Sequence, residues 1–159
     1  MSKLENSSFS SHIQKIQLTS GNLAYGPRPG PDEEVEQRVT ITRDGSVWLS
    51  RWAYGNGVSL KLISREQYKI AGPAVIQLFD RIERHFRTEP MAAMATDDDI
   101  WNLKLTNDNH EIFRYHGSVS IGMDTELDEI SKCLRHTTGK PDLIAFNGMP
   151  EKRLNWDND

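Results

Sequence analysis

Gln37-Arg-Val-Thr-Ile-Thr-Arg-Asp-Gly-Ser-Val-Trp-Leu-Ser-Arg-Trp-Ala-Tyr54 is the stretch that decides the fold. Its apolar residues recur at every second position, the period of a strand buried on one face. Val39 and Ile41 fall on one side of the first half. Val47, Leu49 and Ala53 fall on one side of the second, with Trp48, Ser50, Trp52 and Tyr54 on the other. Arg43-Asp-Gly45 between the halves is a turn signal, because glycine accepts the positive φ that tight hairpins need. Gly55-Asn-Gly57 is a second turn, and Val58 to Ile63 a third strand that can run on to Ile70. These strands predict an antiparallel meander.

After Gly72-Pro73 the period changes from two to 3.6. Val75, Phe79, Ile82 and Phe86 form one helical stripe with Leu78 beside it, while Asp80, Arg81, Glu83 and Arg84 lie largely off it. Proline suits the first helical turn, and Pro90 bars continuation. A hairpin follows, Ile100 to Leu105 and Glu111 to His116 around Asn107-Asp-Asn109, with Trp101, Leu103 and Leu105 inward. A shorter helix is expected from about Thr125 to Arg135, N-capped by Asp124, with Leu127, Ile130 and Leu134 inward and Gly139 beyond its end. Leu143 to Phe146 reads as a last short strand.

Upstream, His12 to Thr19 alternates as a first strand with Ile16 and Leu18 on one face. Residues 20–34 hold Gly21, Gly26, Pro27, Pro29, Gly30 and Pro31, a density of breakers that predicts a long loop. The expected organisation is a Ser-rich disordered tail over 1–11, one domain over 12–148 and a polar tail over 149–159 that Trp156 could pin. The fold class is α+β: an antiparallel sheet of five or six strands, a meander plus a hairpin, with two helices packed on one face. Val39, Ile41, Val47, Leu49, Leu60, Val75, Phe79, Ile82, Phe86, Trp101, Leu103, Leu127, Ile130 and Leu134 are its expected core.

The 159 residues are 36% hydrophobic and 26% charged, with a net charge of −4. That balance belongs to a globular chain long enough to bury a core without staples. No apolar run approaches a membrane span, and no apolar leader opens the sequence. The one cysteine, Cys133, rules out an internal disulfide and fits a reducing, cytoplasmic setting. The charge is uneven: residues 43–87 carry eight basic groups against four acidic ones, and from Asp97 onward thirteen acidic groups face seven basic.

No catalytic constellation stands out. Asp97-Asp-Asp99 lacks the alternate spacing and distal glutamate of a calcium loop, so it reads as a solvated turn. His12, His85, His110, His116 and His136 show no metal-binding pair at i, i+4, and neither a nucleophile elbow nor a dinucleotide fingerprint is present. Gly26-Pro-Arg-Pro-Gly30 is too short for a phosphate cradle. No cofactor, metal or catalytic residue is expected. Trp48, Trp52 and Tyr54 are the candidate binding residues, because alternation turns them away from the face that meets the helices. Something should cover them: the 20–34 loop, a second copy of the chain, or a stacked ligand.

Asp44-Gly-Ser-Val-Trp48, the helix from Leu78 to Phe86, Trp101, and Tyr115-His-Gly-Ser118 ahead of an acidic helix resemble a group of small uncharacterised bacterial α+β proteins, over roughly residues 37–148. The resemblance implies a single bacterial cytosolic domain. The expected function is a non-catalytic binding or regulatory module whose partner is another protein or a second copy of itself. The alternative is a small acidic, immunity-like protein that neutralises a basic toxin, and the third reading is an enzyme without a recognisable motif. Aromatic and basic residues together on a sheet also suit single-stranded nucleic acid, but the overall acidity argues against that partner, and no membrane is involved.

Overall fold

The structure is a computed structural model, and it describes residues 3–5, 7–21, 28–90, 100–119 and 124–148. The strands are β1 (Lys3–Glu5), β2 (Ile13–Gly21), β3 (Glu34–Thr42), β4 (Ser46–Ala53), β5 (Lys61–Lys69), β6 (Ile100–Asn107) and β7 (Ile112–Ser118). The helices are α1 (Gly72–Thr88) and α2 (Thr125–Thr138). One sheet holds all the strands in the order β1-β7-β6-β2-β3-β4-β5. Six of them, β2 to β7, are antiparallel to their neighbours, as expected, and β1 adds a short parallel edge beside β7. The meander β2-β3-β4-β5 and the hairpin β6-β7 therefore join through β2, which pairs with both β3 and β6.

One face of this sheet meets the helices. Ile16, Leu18, Val39, Ile41, Val47, Leu49, Trp101, Leu103, Leu105, Phe113 and Tyr115 project into a core with Val75, Leu78, Phe79, Ile82 and Phe86 of α1 and Leu127, Ile130 and Leu134 of α2. Phe86 stacks on Tyr115 with ring centroids 4.4 Å apart, which seats α1 over β7. Every expected core residue is buried except Leu60, which is half-buried because β5 begins one residue after it. Helix α2 runs three residues past its expected end, to the left-handed Gly139. Asp124 caps it, accepting from the Leu127 N–H at 3.1 Å.

The β3–β4 turn depends on its glycine. Gly45 sits at φ +92°, and a Cβ there would lie 2.4 Å from the Ile70 carbonyl oxygen. The close approach is part of the turn, since the Ile70 N–H donates to the Gly45 carbonyl at 2.8 Å. Gly45→Ala therefore has no relaxed conformation. It should cost about 1–3 kcal/mol, read as a shift in the midpoint of chemical unfolding at unchanged slope.

Two expectations change. Residues 1–11 are not a tail as far as they are described: β1 pairs with β7, Phe9 is 2% exposed and packs edge-on against Phe113, and Tyr115 Oη donates to the Ser7 carbonyl at 2.6 Å. Leu143 to Phe146 is buried as expected but forms turns, not a strand. A buried turn must have its backbone groups satisfied by side chains. Ser20 donates to the Ala145 carbonyl at 2.7 Å, Gln37 accepts from the Ile144 N–H at 2.7 Å, and Ser131 accepts from the Phe146 N–H at 3.1 Å. Buried Arg135 holds the Leu143 and Ile144 carbonyls at 2.8 and 3.1 Å.

Candidate functional site

The alternation that buries one face of the sheet leaves the other to solvent. Register aligns its side chains in rows that cross the strands. One row runs Arg114, Lys104, Gln17, Thr40, Trp48, Gln67, from β7 through β6, β2, β3 and β4 to β5. The next runs His116, Asn102, Thr19, Arg38, Ser50, Arg65. At neighbouring strands about 4.8 Å apart, each row spans about 24 Å. Arg38, Trp48, Arg65, Gln67, Asn102 and His116 are exposed, and the rest are half-buried by their neighbours.

Two shallow depressions adjoin on this face. One, of about 270 Å³, is bordered by Arg38, Trp48, Ser50 and Arg65. The other, of about 500 Å³, is bordered by Asn102, Lys104, Arg114 and His116. They share Gln17 and Thr19, so they form one trough across the sheet. Two atoms in it, Gln17 Oε1 and Arg114 Nε, are out of contact with solvent and have no hydrogen-bond partner among the described residues.

The face is cationic. Lys15, Arg38, Arg65, Lys69, Lys104 and Arg114 stand on it with Glu36, and at its β1 edge Lys3 and Glu5 fall in register with Ile112 and Arg114. Arg38 pairs with Glu36 and Lys69 with Asp44 at 3.3 Å. Lys15, Arg65 and Arg114 have no ion-pair partner among the described residues. The net negative charge of the chain is therefore carried elsewhere.

Trp48 and Trp52 both lie on this face. Trp48 is 37% exposed, one strand in from the β5 end of its row. Trp52 is half-buried: its Nε1–H donates to Ser50 Oγ at 2.9 Å and the Arg38 guanidinium lies 4.2 Å from its ring centre. Tyr54 falls just past the end of β4, its ring 5.4 Å from the Arg28 guanidinium, and does not border the trough. The tip of the 20–34 loop, one of the covers expected for the tryptophans, lies outside the described residues. Arg51 points to the other face as expected, pairing with Glu34 at 3.2 Å and Asp142 at 2.9 Å. The sequence reading missed Gln17, Thr19, Lys104, Arg114 and His116. The same alternation marks them, but only the order of strands brings them beside Trp48.

Other candidates assemble less. Asp97 to Asp99 lie outside the described residues. Among the described residues no three His, Cys, Asp or Glu side chains gather as a metal site. Cys133 is half-buried with Sγ 3.8 Å from Thr137 Oγ1. His85 is buried edge-on against Phe86, with Nε2 3.9 Å from an Asp124 carboxylate oxygen. It borders a groove of about 570 Å³ between α1 and α2, where Arg81 and Arg84 mix with Glu89 and Glu126. No helix among the described residues is long and apolar enough to cross a membrane. No protein-family model matches the chain, and no curated protein is similar to it.

Proposed function

We propose that the chain is a non-catalytic binding module that holds an anionic partner on the sheet face turned away from its helices. The observation that carries this reading is the reversal of charge: a net-acidic chain gathers a majority of cations and an exposed indole on a single face of its sheet. Clustered charge of one sign raises the local concentration of an oppositely charged partner and speeds its encounter. The rival reading, in which carboxylates grip a basic partner, has less support. Glu34, Asp142, Glu66, Asp44 and Asp32 are each paired with a cation of the same chain.

Retention on a polyanion tests it. At pH 7.5 and low salt the chain should bind immobilised heparin although its sequence pI is near 5.7. Arg65→Glu with Lys104→Glu should abolish retention while the circular dichroism spectrum and unfolding midpoint stay in place. Flow-through of the wild-type chain, or equal retention of the charge-reversed variant, would reject the reading.

A further inference from the structure

Resting on the reading that the open face binds an anionic partner, we infer that the partner is a single-stranded nucleic acid laid across the strands along the trough. Three features of the face select that class. The first is the row itself. Over its two adjoining rows, cations stand at both ends, Arg114 and Lys104 on β7 and β6 and Arg65 on β5, with hydrogen-bonding Gln17, Thr19 and Thr40 on β2 and β3 between them. A flexible polyanion needs that pattern, with charge for phosphates and amide and hydroxyl groups for sugar and base edges. The length of about 24 Å accommodates a segment near the small end of single-strand site sizes, about four nucleotides.

The second feature is Trp48. Its indole is exposed near the β5 end of a polar row, flanked across the strands by Thr40 and Gln67. An unpaired base has a free π-face to stack on it, whereas a duplex keeps its bases stacked on one another. Trp52 is already faced by Arg38, so Trp48 is the platform that remains. The third feature is what the face lacks. A protein interface is depleted of charge at its core and enriched in apolar contact. Here the centre of the face, on β2 and β3, is Gln17, Thr19, Arg38 and Thr40. An acidic protein or a second copy of the chain would find charge complementarity but no apolar centre to bury.

The uneven charge of the sequence hides this site. Net acidity argues against nucleic acid only if acidic groups predominate on the binding face, and among the described residues cations outnumber carboxylates there. Carboxylates on the remaining surface would keep the chain from coating nucleic acid without regard to orientation.

The full-length chain can be titrated with a labelled 12-nucleotide single strand of mixed sequence, as DNA and as RNA, with the matching duplex and heparin in parallel. The single strand should raise anisotropy and quench tryptophan emission, and bind more tightly than the duplex. Three phosphate contacts, at Lys15, Arg65 and Arg114, give a slope of log K against log salt of about −2. Trp48→Ala should weaken binding about tenfold or more, and Trp48→Phe should recover most of it, since one stacked base is worth that factor. Lys104→Glu should weaken it without touching the unfolding midpoint. Heparin retention that depends on Arg65 and Lys104, with no binding of either single strand, would overturn this inference and leave the reading of the face intact. Duplex binding as tight as single-strand binding, or indifference to Trp48→Ala, would also overturn it. Loss of both heparin and oligonucleotide binding would reject both.

Discussion

Glu83→Ala should destabilise the fold by about 3–5 kcal/mol, the cost of removing one partner from a buried ionic cluster. Glu83 sits on α1 with its side chain only 3% exposed, yet its carboxylate is almost fully engaged. Oε2 accepts the Ile13 N–H at 2.9 Å and lies 3.4 Å from Arg43 Nη2. Oε1 lies 3.3 Å from Arg87 and 3.3 Å from His12 Nδ1. Arg43 closes the ring by donating from Nε to the Ile13 carbonyl at 2.8 Å. The cluster thus ties the entry of β2 and the β3–β4 turn to one turn of α1. Alanine would leave the Ile13 N–H without an acceptor and the half-buried Arg43 guanidinium without its carboxylate. Urea unfolding followed by circular dichroism measures the loss. Glu83→Gln keeps one carbonyl acceptor for Ile13 and should cost less than alanine. A loss below about 1 kcal/mol for alanine would mean that the carboxylate contributes no more than a surface pair.

Phe79→Ala should cost a similar amount, about 3–5 kcal/mol, through lost burial and the cavity left behind. Phe79 has no exposed surface and lies at the middle of the α1 stripe, with the Arg43 guanidinium 5.7 Å from its ring centre. The midpoint of unfolding should fall with the slope unchanged. Ile76 of the same helix, 45% exposed, is the control, and Ile76→Ala should stay within about 0.5 kcal/mol of wild type. Because Phe79 and Glu83 share Arg43, the double variant should depart from the sum of the single losses.

The parts of the fold that could be read in advance are those where one face is buried and the other is wet. Alternation around Val39, Val47 and Leu103 and the stripe from Val75 to Phe86 both have that origin. Phe9 escaped because a single aromatic among serines has no period, and only its contact with Phe113 reveals its place. Leu143 to Phe146 escaped because four apolar residues fit a strand and a buried turn equally well. The decision rests on Gln37, Ser20 and Arg135, which lie at the segment's hydrogen bonds but not beside most of it in sequence. The candidate site was half legible. Trp48 and Trp52 follow from local alternation, whereas the cations that join them come from strands separated by up to a hundred residues of chain. A count of charge along the sequence averages them with acids that end up on other surfaces.

The position of β2 at the junction has a consequence for how the chain is made. Its β3 edge can pair as soon as the next twenty residues exist, but its β6 edge waits for residues 101–107, and β1 waits for β7. During synthesis the meander would emerge with a bare edge and an unroofed apolar face, since α2 and the 143–146 turn come later still. Non-local pairing of this kind slows folding and leaves the half-built sheet open to joining a neighbouring chain. The domain therefore reaches its native state only once nearly all of it has left the ribosome, and a truncation that ends before β6 should yield an aggregating fragment, not a smaller domain.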